Sequence, residues 1–88
     1  MPADCGGIGE SRWYLYVILN PQGIAYTGIA TDVEKRLAAH NGGKGARFTR
    51  GRGPWNLVYC EGPFDRAEAS RREFQVKRDR ELKAALKR

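Results

Sequence analysis

The stretch Trp13-Tyr-Leu-Tyr-Val-Ile-Leu19 is rich in aromatic and β-branched residues, a composition that favours a β-strand. It ends in Asn20-Pro-Gln-Gly23, whose residue types are typical of a turn, and strand character resumes in Ile24-Ala-Tyr-Thr-Gly28. We therefore predict a β-hairpin. Because side chains alternate along a strand, Tyr14 and Tyr16 should point to one side of the sheet and the residues between them to the other.

A helix follows the predicted hairpin. Thr31 stands three residues before Glu34, which is the spacing of a capping box, and apolar residues then recur at helical intervals. Asn41-Gly42-Gly43 interrupts this pattern. The spacing predicts a first helix over about residues 32–41, capped by Thr31.

The second half of the chain contains a loop, a strand and two helices. Residues 42–54 are rich in glycine and predict a loop with one helical turn around residues 46–49. A third strand is predicted over residues 55–60, a helix over residues 65–78 and a short last helix over residues 80–86. The fold class is therefore α+β, or α/β in the loose sense. It consists of a small three-stranded, mainly antiparallel sheet flanked by helices in the order β-β-α-β-α-α, with the place of the third strand in the sheet left open.

The length of 88 residues is that of one small domain. We assign the domain to residues 12–88 and a flexible N-terminal tail to residues 1–11. No apolar run approaches the ~20 residues that a membrane span needs, and the first residues have no apolar stretch of the kind found in secretion signals. The expected location is the cytoplasm, with no membrane partner.

The charge is positive and unevenly distributed. The net charge is +6 at pH 7, and residues 44–52 contain four basic residues and no acidic one. A phosphate backbone releases counterions when it binds such a segment, so nucleic acid is one candidate partner. The alternative is that the charge only keeps a small protein in solution.

Four polar side chains could meet where the predicted hairpin packs against the first helix. Tyr16 and Tyr26 come from the two strands, and Arg36 and His40 share one face of the helix because they are four residues apart. Each also has an ordinary interpretation: cross-strand packing for the tyrosines, a solvated guanidinium for Arg36, and a cation at the helix C-terminus for His40.

Glu73 is a carboxylate at the edge of an otherwise apolar helix face. Such a group needs a partner, either a base or a hard cation such as Mg²⁺. An ion pair with Arg72 or Lys77 and a metal site are both open at this point.

The sequence resembles the GIY-YIG endonuclease superfamily, and specifically its small single-domain bacterial branch, which is related to the Slx-type structure-specific nucleases. The similarity covers residues 12 to about 78. It is carried by five separated motifs in the order that the superfamily has them: Trp13-Tyr-Leu-Tyr-Val-Ile18, Tyr26-Thr-Gly-Ile-Ala-Thr-Asp32, Arg36-Leu-Ala-Ala-His-Asn41, Gly43-Lys-Gly-Ala-Arg-Phe-Thr-Arg50 and Arg71-Arg-Glu-Phe-Gln-Val-Lys77.

The resemblance implies a role for each matching position. Tyr16 takes the place of the tyrosine in the first signature, although no glycine stands two residues earlier, and Tyr26 opens the second signature. Arg36 matches the helix arginine, His40 matches a residue that some members use, and Glu73 matches the single metal-binding glutamate.

The implied activity is that of a metal-dependent endonuclease that hydrolyses phosphodiester bonds in DNA, structure-specific and linked to DNA repair or recombination. One Mg²⁺ or Mn²⁺ ion would be held by Glu73. Tyr16, assisted by His40, would take the proton of the attacking water, with its pKa lowered by the metal and by Arg36. Arg36 would stabilise the charge on the phosphate, Tyr26 would orient the phosphate or the water, and 5′-phosphate and 3′-hydroxyl ends would result.

Substrate contacts are expected from the glycine-rich basic loop. Phosphates would bind its basic side chains, and Phe48 or Trp55 would be available to stack on an unpaired base. The predicted nucleic-acid-binding residues are Lys44, Arg47, Phe48, Arg50 and Arg52. The expected partners are DNA, with RNA as an alternative, and a protein that confers specificity.

Two other classes of function stay open. The chain could be a catalytically weak or inactive nucleic-acid-binding module on the same fold, because Ala84-Ala85 stands where the family often has a polar residue. It could also be an interaction domain in which the tyrosines are merely packed.

Overall fold

The computed structural model describes residues 12–86, so the predicted tail over residues 1–11 lies outside the described residues. Its elements follow the predicted order: β1 (Trp13–Leu19), β2 (Ala25–Ala30), α1 (Val33–Asn41), a 3₁₀ turn (Arg47–Thr49), β3 (Asn56–Phe64), α2 (Arg66–Arg78) and α3 (Arg80–Leu86). The strands form one sheet in the order β2-β1-β3, with both pairs antiparallel. The predicted α+β fold is confirmed. Between residues 12 and 86, no helix is long and apolar enough to cross a membrane.

The two faces of the sheet are covered by different elements. On one face, the buried side chains of Tyr14, Tyr16 and Ile18 pack with Val33 of α1 and with Trp55. On the other face lies a second buried cluster, which contains Leu15 and Val17 of β1 and Val76 of α2, with leucines of α3 packed against it. This separation follows from the alternation of β1, as predicted, and it places α1 opposite α2 and α3.

Asn20 closes the β1–β2 hairpin. Its side-chain oxygen accepts hydrogen bonds from the backbone N–H groups of Gln22 (3.1 Å) and Ile24 (2.8 Å). Gly23 adopts φ +81°, a backbone conformation that glycine reaches without a steric cost. The turn therefore fixes the register in which Tyr16 lies opposite Gly28.

The cap of α1 differs from the prediction. Asp32 is the N-cap residue, and its side chain accepts a hydrogen bond of 3.0 Å from the backbone N–H of Lys35. The predicted cap, Thr31, was wrong by one residue because both residue types cap helices well. The caps of the last two helices are Asp65 and Asp79, whose carboxylates accept from backbone N–H groups three residues on.

β3 is longer than predicted, since it runs to Phe64 instead of ending at Cys60. The sequence Gly62-Pro63 suggested an end of the strand, but the strand continues past it across a register shift between Trp13 and Leu15. A side chain at Gly62 would collide with the Tyr14 ring and the Trp13 carbonyl, so glycine is required at this close approach.

An ion-pair network attaches α2 to β3. Arg72 donates two hydrogen bonds to the Glu61 carboxylate, from Nε to Oε1 (2.7 Å) and from Nη2 to Oε2 (2.8 Å), and the Tyr59 hydroxyl also donates to Glu61. Such a two-pronged pair fixes orientation as well as distance. It therefore helps to set the rotation of α2, the helix that carries Glu73.

Candidate active site

The Tyr16 side chain lies across β2, inside the protein. Only 1% of its surface is exposed, and Gly28 stands directly opposite it on β2. A Cβ atom at Gly28 would lie 2.6 Å from the Tyr16 hydroxyl oxygen, well inside van der Waals contact. The absence of a side chain at Gly28 is thus what lets the phenol extend over the neighbouring strand.

His40 is buried against Tyr16 instead of facing solvent at the end of α1. Its Nε2 lies 2.8 Å from the Tyr16 hydroxyl, and its Nδ1 lies 2.8 Å from the Thr49 hydroxyl. Burial, and secondly the positive charge of Arg36, lower the pKa of His40 below its usual range. The imidazole is therefore neutral at pH 7, and the interpretation of His40 as a surface cation does not apply.

Several of the candidate residues influence the pKa of the Tyr16 hydroxyl. The pKa of Tyr16 is raised to about 12, mainly by burial, and the nearby Arg36 guanidinium offsets only part of that increase. Tyr26 and the charge of Glu73 are smaller causes of the increase. Arg36 and Glu73, from helices on opposite faces of the sheet, thus both lie near enough to influence this hydroxyl. Arg36 lowers the pKa of Tyr16, as expected, but the larger effect of burial leaves that pKa above its ordinary value.

Aromatic rings form the rim of the site. The Tyr26 ring contacts His40 edge-on, with 5.1 Å between ring centroids, and stacks on Phe48 at 6.0 Å. The Arg52 guanidinium lies over the Phe48 ring, 4.9 Å from its centroid. Phe48 is 46% exposed, whereas Trp55 is only 2% exposed. Of the two rings expected to be available for base stacking, Phe48 is accessible and Trp55 is not.

The loop over residues 42–54, which we call the basic loop, is fastened to the body of the protein. The Asn20 side chain donates to the backbone carbonyl of Arg52 (2.9 Å), and Asn41 exchanges two hydrogen bonds with the backbone of Trp55 (2.6 and 3.1 Å). The Trp55 indole N–H donates to the carbonyl of Thr49 (3.1 Å). These contacts fix the backbone of the basic loop.

The charged side chains of the basic loop point outward. The exposed basic residues are Lys44, Arg47, Arg50 and Arg52. Of these, Arg52 lies over Phe48, whose ring stacks on Tyr26, and Tyr26 in turn contacts His40. A polyanion bound at Arg52 would therefore lie close to the aromatic rim of the candidate site.

Glu73 lies on α2 with a quarter of its side chain exposed. Its Oε2 is 3.2 Å from Nζ of Lys77, so of the two predicted ion-pair partners Lys77 is the one in contact, while Arg72 pairs with Glu61. Among residues 12–86 no three His, Cys, Asp or Glu side chains are grouped closely enough to hold a metal ion by themselves. A cation here would rely on Glu73 together with water and substrate oxygens.

Sequence reasoning missed three residues that shape the site. Thr49 holds the second nitrogen of His40, Gly45 leaves room for the imidazole, since a Cβ atom there would overlap the ring, and Gly28 leaves room for Tyr16. All three stand in motifs that carry the family resemblance, Gly28 in Tyr26-Thr-Gly28 and the other two in Gly43-Lys-Gly-Ala-Arg-Phe-Thr-Arg50. The motifs do not show that Gly45 and Thr49 contact His40, because that contact joins the loop to α1.

A comparison with protein families matches the GIY-YIG catalytic domain to residues 12–84. The chain belongs to the GIY-YIG family. The match includes the two tyrosines, the arginine and histidine of α1, and the glutamate of α2. This GIY-YIG domain has a nuclease fold, and such a fold implies a nucleic-acid substrate.

Relatives of this GIY-YIG protein carry the name UPF0213. It is 44% identical over 70 residues to one from Photorhabdus laumondii and 49% identical over 67 residues to one from Serratia liquefaciens. These alignments cover 80% and 76% of the chain, which spans 67% and 66% of the length of those relatives. The solution NMR structure of a UPF0213 protein from Bacillus halodurans is 42% identical, with a TM-score of 0.51 over 85% of this chain and 81% of that one.

Proposed function

We propose that residues 12–88 form a metal-dependent endonuclease domain that hydrolyses phosphodiester bonds in DNA, acts on particular DNA structures and serves DNA repair or recombination. The observation that supports this most is the contact between the Tyr16 hydroxyl and a neutral His40, within the influence of both Arg36 and Glu73. A buried hydroxyl beside a neutral base, a cation and a carboxylate suits the activation of water next to a phosphate.

In the proposed reaction Tyr16 and His40 act together as the base. A tyrosine with a pKa near 12 is almost never ionised at pH 7, so it cannot serve as a preformed phenolate. Tyr16 can accept a proton from water while it passes its own proton to His40. Arg36 donates hydrogen bonds to the non-bridging oxygens of the phosphate and stabilises the negative charge that develops there. Tyr26, at the rim, orients the phosphate.

The Glu73 carboxylate suits one divalent cation of the Mg²⁺ or Mn²⁺ type whose other ligands are water and substrate oxygens. Mg²⁺ commonly binds proteins through one or two carboxylates and fills its other positions with water and substrate phosphates. Glu73 offers one carboxylate that is partly open to solvent. When bound, the ion supplies Lewis-acid stabilisation of the phosphate and of the leaving oxygen. The Lys77 ammonium would have to move from Oε2 to admit it.

The test of the carboxylate is Glu73→Gln, which keeps the shape of the side chain and removes its charge. We expect Mg²⁺-dependent nicking of branched or flapped DNA to fall by at least about a hundredfold while DNA binding is retained. Glu68→Gln is the matched control, because Glu68 is an exposed carboxylate on the same helix. Undiminished cleavage by purified Glu73→Gln protein would contradict the proposed role.

The basic loop is proposed to supply substrate affinity. Reversing charge in the double variant Arg47→Glu/Arg50→Glu should weaken DNA binding and flatten the dependence of log K on log salt concentration by about two units, since each lost phosphate contact removes about 0.9 from the slope. Arg71→Glu/Arg80→Glu, which changes two exposed residues of α2 and α3, is the control. An unchanged slope in the loop variant would show that phosphates bind elsewhere.

The second candidate is a catalytically inactive nucleic-acid-binding module. It is favoured by the Glu73–Lys77 ion pair, in which an ammonium already neutralises the carboxylate. This function predicts binding with the same salt dependence but no cleavage with Mg²⁺ or Mn²⁺. Replacing Lys77 by Gln separates the two functions: the variant should cleave at least as well as the wild type if the metal and Lys77 compete, and should stay inactive if the module has no activity.

A further inference from the structure

The direction of the hydrogen bonds around His40 can be worked out from Thr49. The Thr49 hydroxyl donates to the backbone carbonyl of Ala46 at 2.8 Å. A hydroxyl has a single proton, so toward His40 Nδ1, also at 2.8 Å, the Thr49 oxygen can only accept. His40 Nδ1 must therefore carry a hydrogen and donate it.

The protonation of Nδ1 also determines the role of Nε2. A neutral imidazole has one N–H, so with the hydrogen on Nδ1 the Nε2 atom has a lone pair. The Tyr16 hydroxyl, 2.8 Å away, then donates its proton to Nε2. The lone pairs of the Tyr16 oxygen are left available for Arg36 and for an incoming water. With the opposite tautomer, Nε2 would donate and Tyr16 could not pass a proton to it.

We propose that Thr49 is a positioning residue that holds His40 in the Nδ1–H tautomer and so makes Tyr16 and His40 a directed proton-accepting pair. The proposal rests on the endonuclease function for its catalytic consequence, but not for the tautomer itself. In the hydrolysis, a water O–H bond breaks as its oxygen attacks phosphorus. That proton goes to the Tyr16 oxygen, and the Tyr16 proton goes to Nε2. The leaving 3′ oxygen takes a proton from solvent, and the imidazolium returns one to solvent.

Thr49 is itself held firmly. It is 1% exposed, it ends the 3₁₀ turn, and its carbonyl accepts the indole N–H of Trp55. Gly45 of the same loop lies against the imidazole without a side chain. The basic loop therefore supplies one residue of the Tyr16–His40–Thr49 hydrogen-bond chain as well as charged side chains for the substrate. Unlike its exposed neighbours in the loop, Thr49 is buried and contacts His40.

The direct test is the tautomer of His40 measured by long-range ¹H–¹⁵N NMR. His40 is the only histidine of the chain, so its signals need no further assignment. The wild-type protein at pH 7.5 should show a protonated Nδ1 and an unprotonated Nε2. An Nε2–H tautomer in the wild type would overturn the proposal, whether or not the protein cleaves DNA.

Two substitutions then separate positioning from packing. Thr49→Ser keeps the hydroxyl and should retain both the Nδ1–H tautomer and the activity. Thr49→Val keeps the shape but removes the acceptor, and should populate the Nε2–H tautomer and lower kcat at least tenfold with KM for DNA unchanged. A Thr49→Val protein with the wild-type tautomer and kcat would refute the role. If the wild type shows the expected tautomer but does not cleave DNA, the endonuclease proposal fails and the positioning role stands.

Discussion

The two faces of the sheet differ in their polar content although the same strand contributes to both. Under α2 and α3, Leu15 and Val17 meet Val76 in a cluster of aliphatic side chains. Under α1, Tyr16 shares its face with His40, and both are as deeply buried as the leucine. The α2 face is packed by buried aliphatic side chains, whereas the α1 face combines an apolar cluster, which includes Ile18 and Trp55, with polar groups held by hydrogen bonds. Burial alone therefore does not distinguish the residues of the apolar core from those of the candidate site in this small domain.

The first way to test this contrast is to weaken the aliphatic face. Leu15→Ala should lower the free energy of unfolding by about 3 kcal/mol, through lost burial and the cavity left behind. Below the melting temperature, the catalytic rate of the folded fraction should stay within about twofold of the wild type, a factor worth only ~0.4 kcal/mol. Chemical denaturation combined with a nicking assay measures both. A proportional loss of rate in fully folded protein would mean that the two faces are not independent.

The second test makes a small change on the polar face. Gly28→Ala adds one methyl group that would lie 2.6 Å from the Tyr16 hydroxyl, so the phenol has to move. A displacement of about 1 Å in a catalytic group can lower the rate by about a hundredfold. Ala25→Gly changes the size of a side chain by the same amount elsewhere on β2 and serves as the control. If Gly28→Ala protein kept its full rate, the position of the Tyr16 hydroxyl would not matter for catalysis.

The smallest expected effect is a pH dependence of stability. Because the pKa of His40 is lowered on folding from its ordinary 6.5, the unfolded chain binds more protons just below that pH, and stability falls as the pH decreases through 6.5. The groups that face the imidazole are Arg36, Tyr16, Tyr26 and Thr49, and of these the Arg36 guanidinium adds to the effect of burial on the pKa of His40.

Denaturation at pH 7.5 and pH 5.5 of the wild type and of His40→Gln measures this contribution. The wild type should lose more stability between the two pH values than the variant. Glu61, whose pKa is lowered by Arg72, loses its contribution only as the pH falls from its ordinary 4.5 toward the lower folded value, outside this window. Equal losses in the two proteins would show that His40 is not buried in its neutral form.

Local sequence patterns predicted the hairpin, the helices and the order of the elements because those signals lie within a few residues of one another. They also supplied Tyr16, Tyr26, Arg36, His40 and Glu73 as candidates. Their roles remain predictions, but the structure places the first four in mutual contact or within electrostatic reach.

What the sequence could not provide depends on contacts between distant segments. The hydrogen bond of Thr49 to His40 and the ion pair of Glu61 with Arg72 each join separate elements, and neither has a characteristic spacing. The order of the strands and the passage of β3 through Gly62-Pro63 likewise follow from packing in three dimensions. Thr31 and Asp32 are both residue types that cap helices, with Asp the more frequent, and the spacing to Glu34 favoured Thr31 wrongly.

The two asparagine clasps, Asn20 to the carbonyl of Arg52 and Asn41 to Trp55, have a consequence for how proteins of this kind can diversify. These hydrogen bonds fix both ends of the basic loop. The exposed side chains of the loop can therefore change without disturbing the hairpin or α1. Yet Thr49 lies inside that loop and touches the imidazole. If the proposed roles of the basic loop and of Thr49 hold, a replacement loop without a hydroxyl at this position should change the substrate contacts and slow the reaction at the same time.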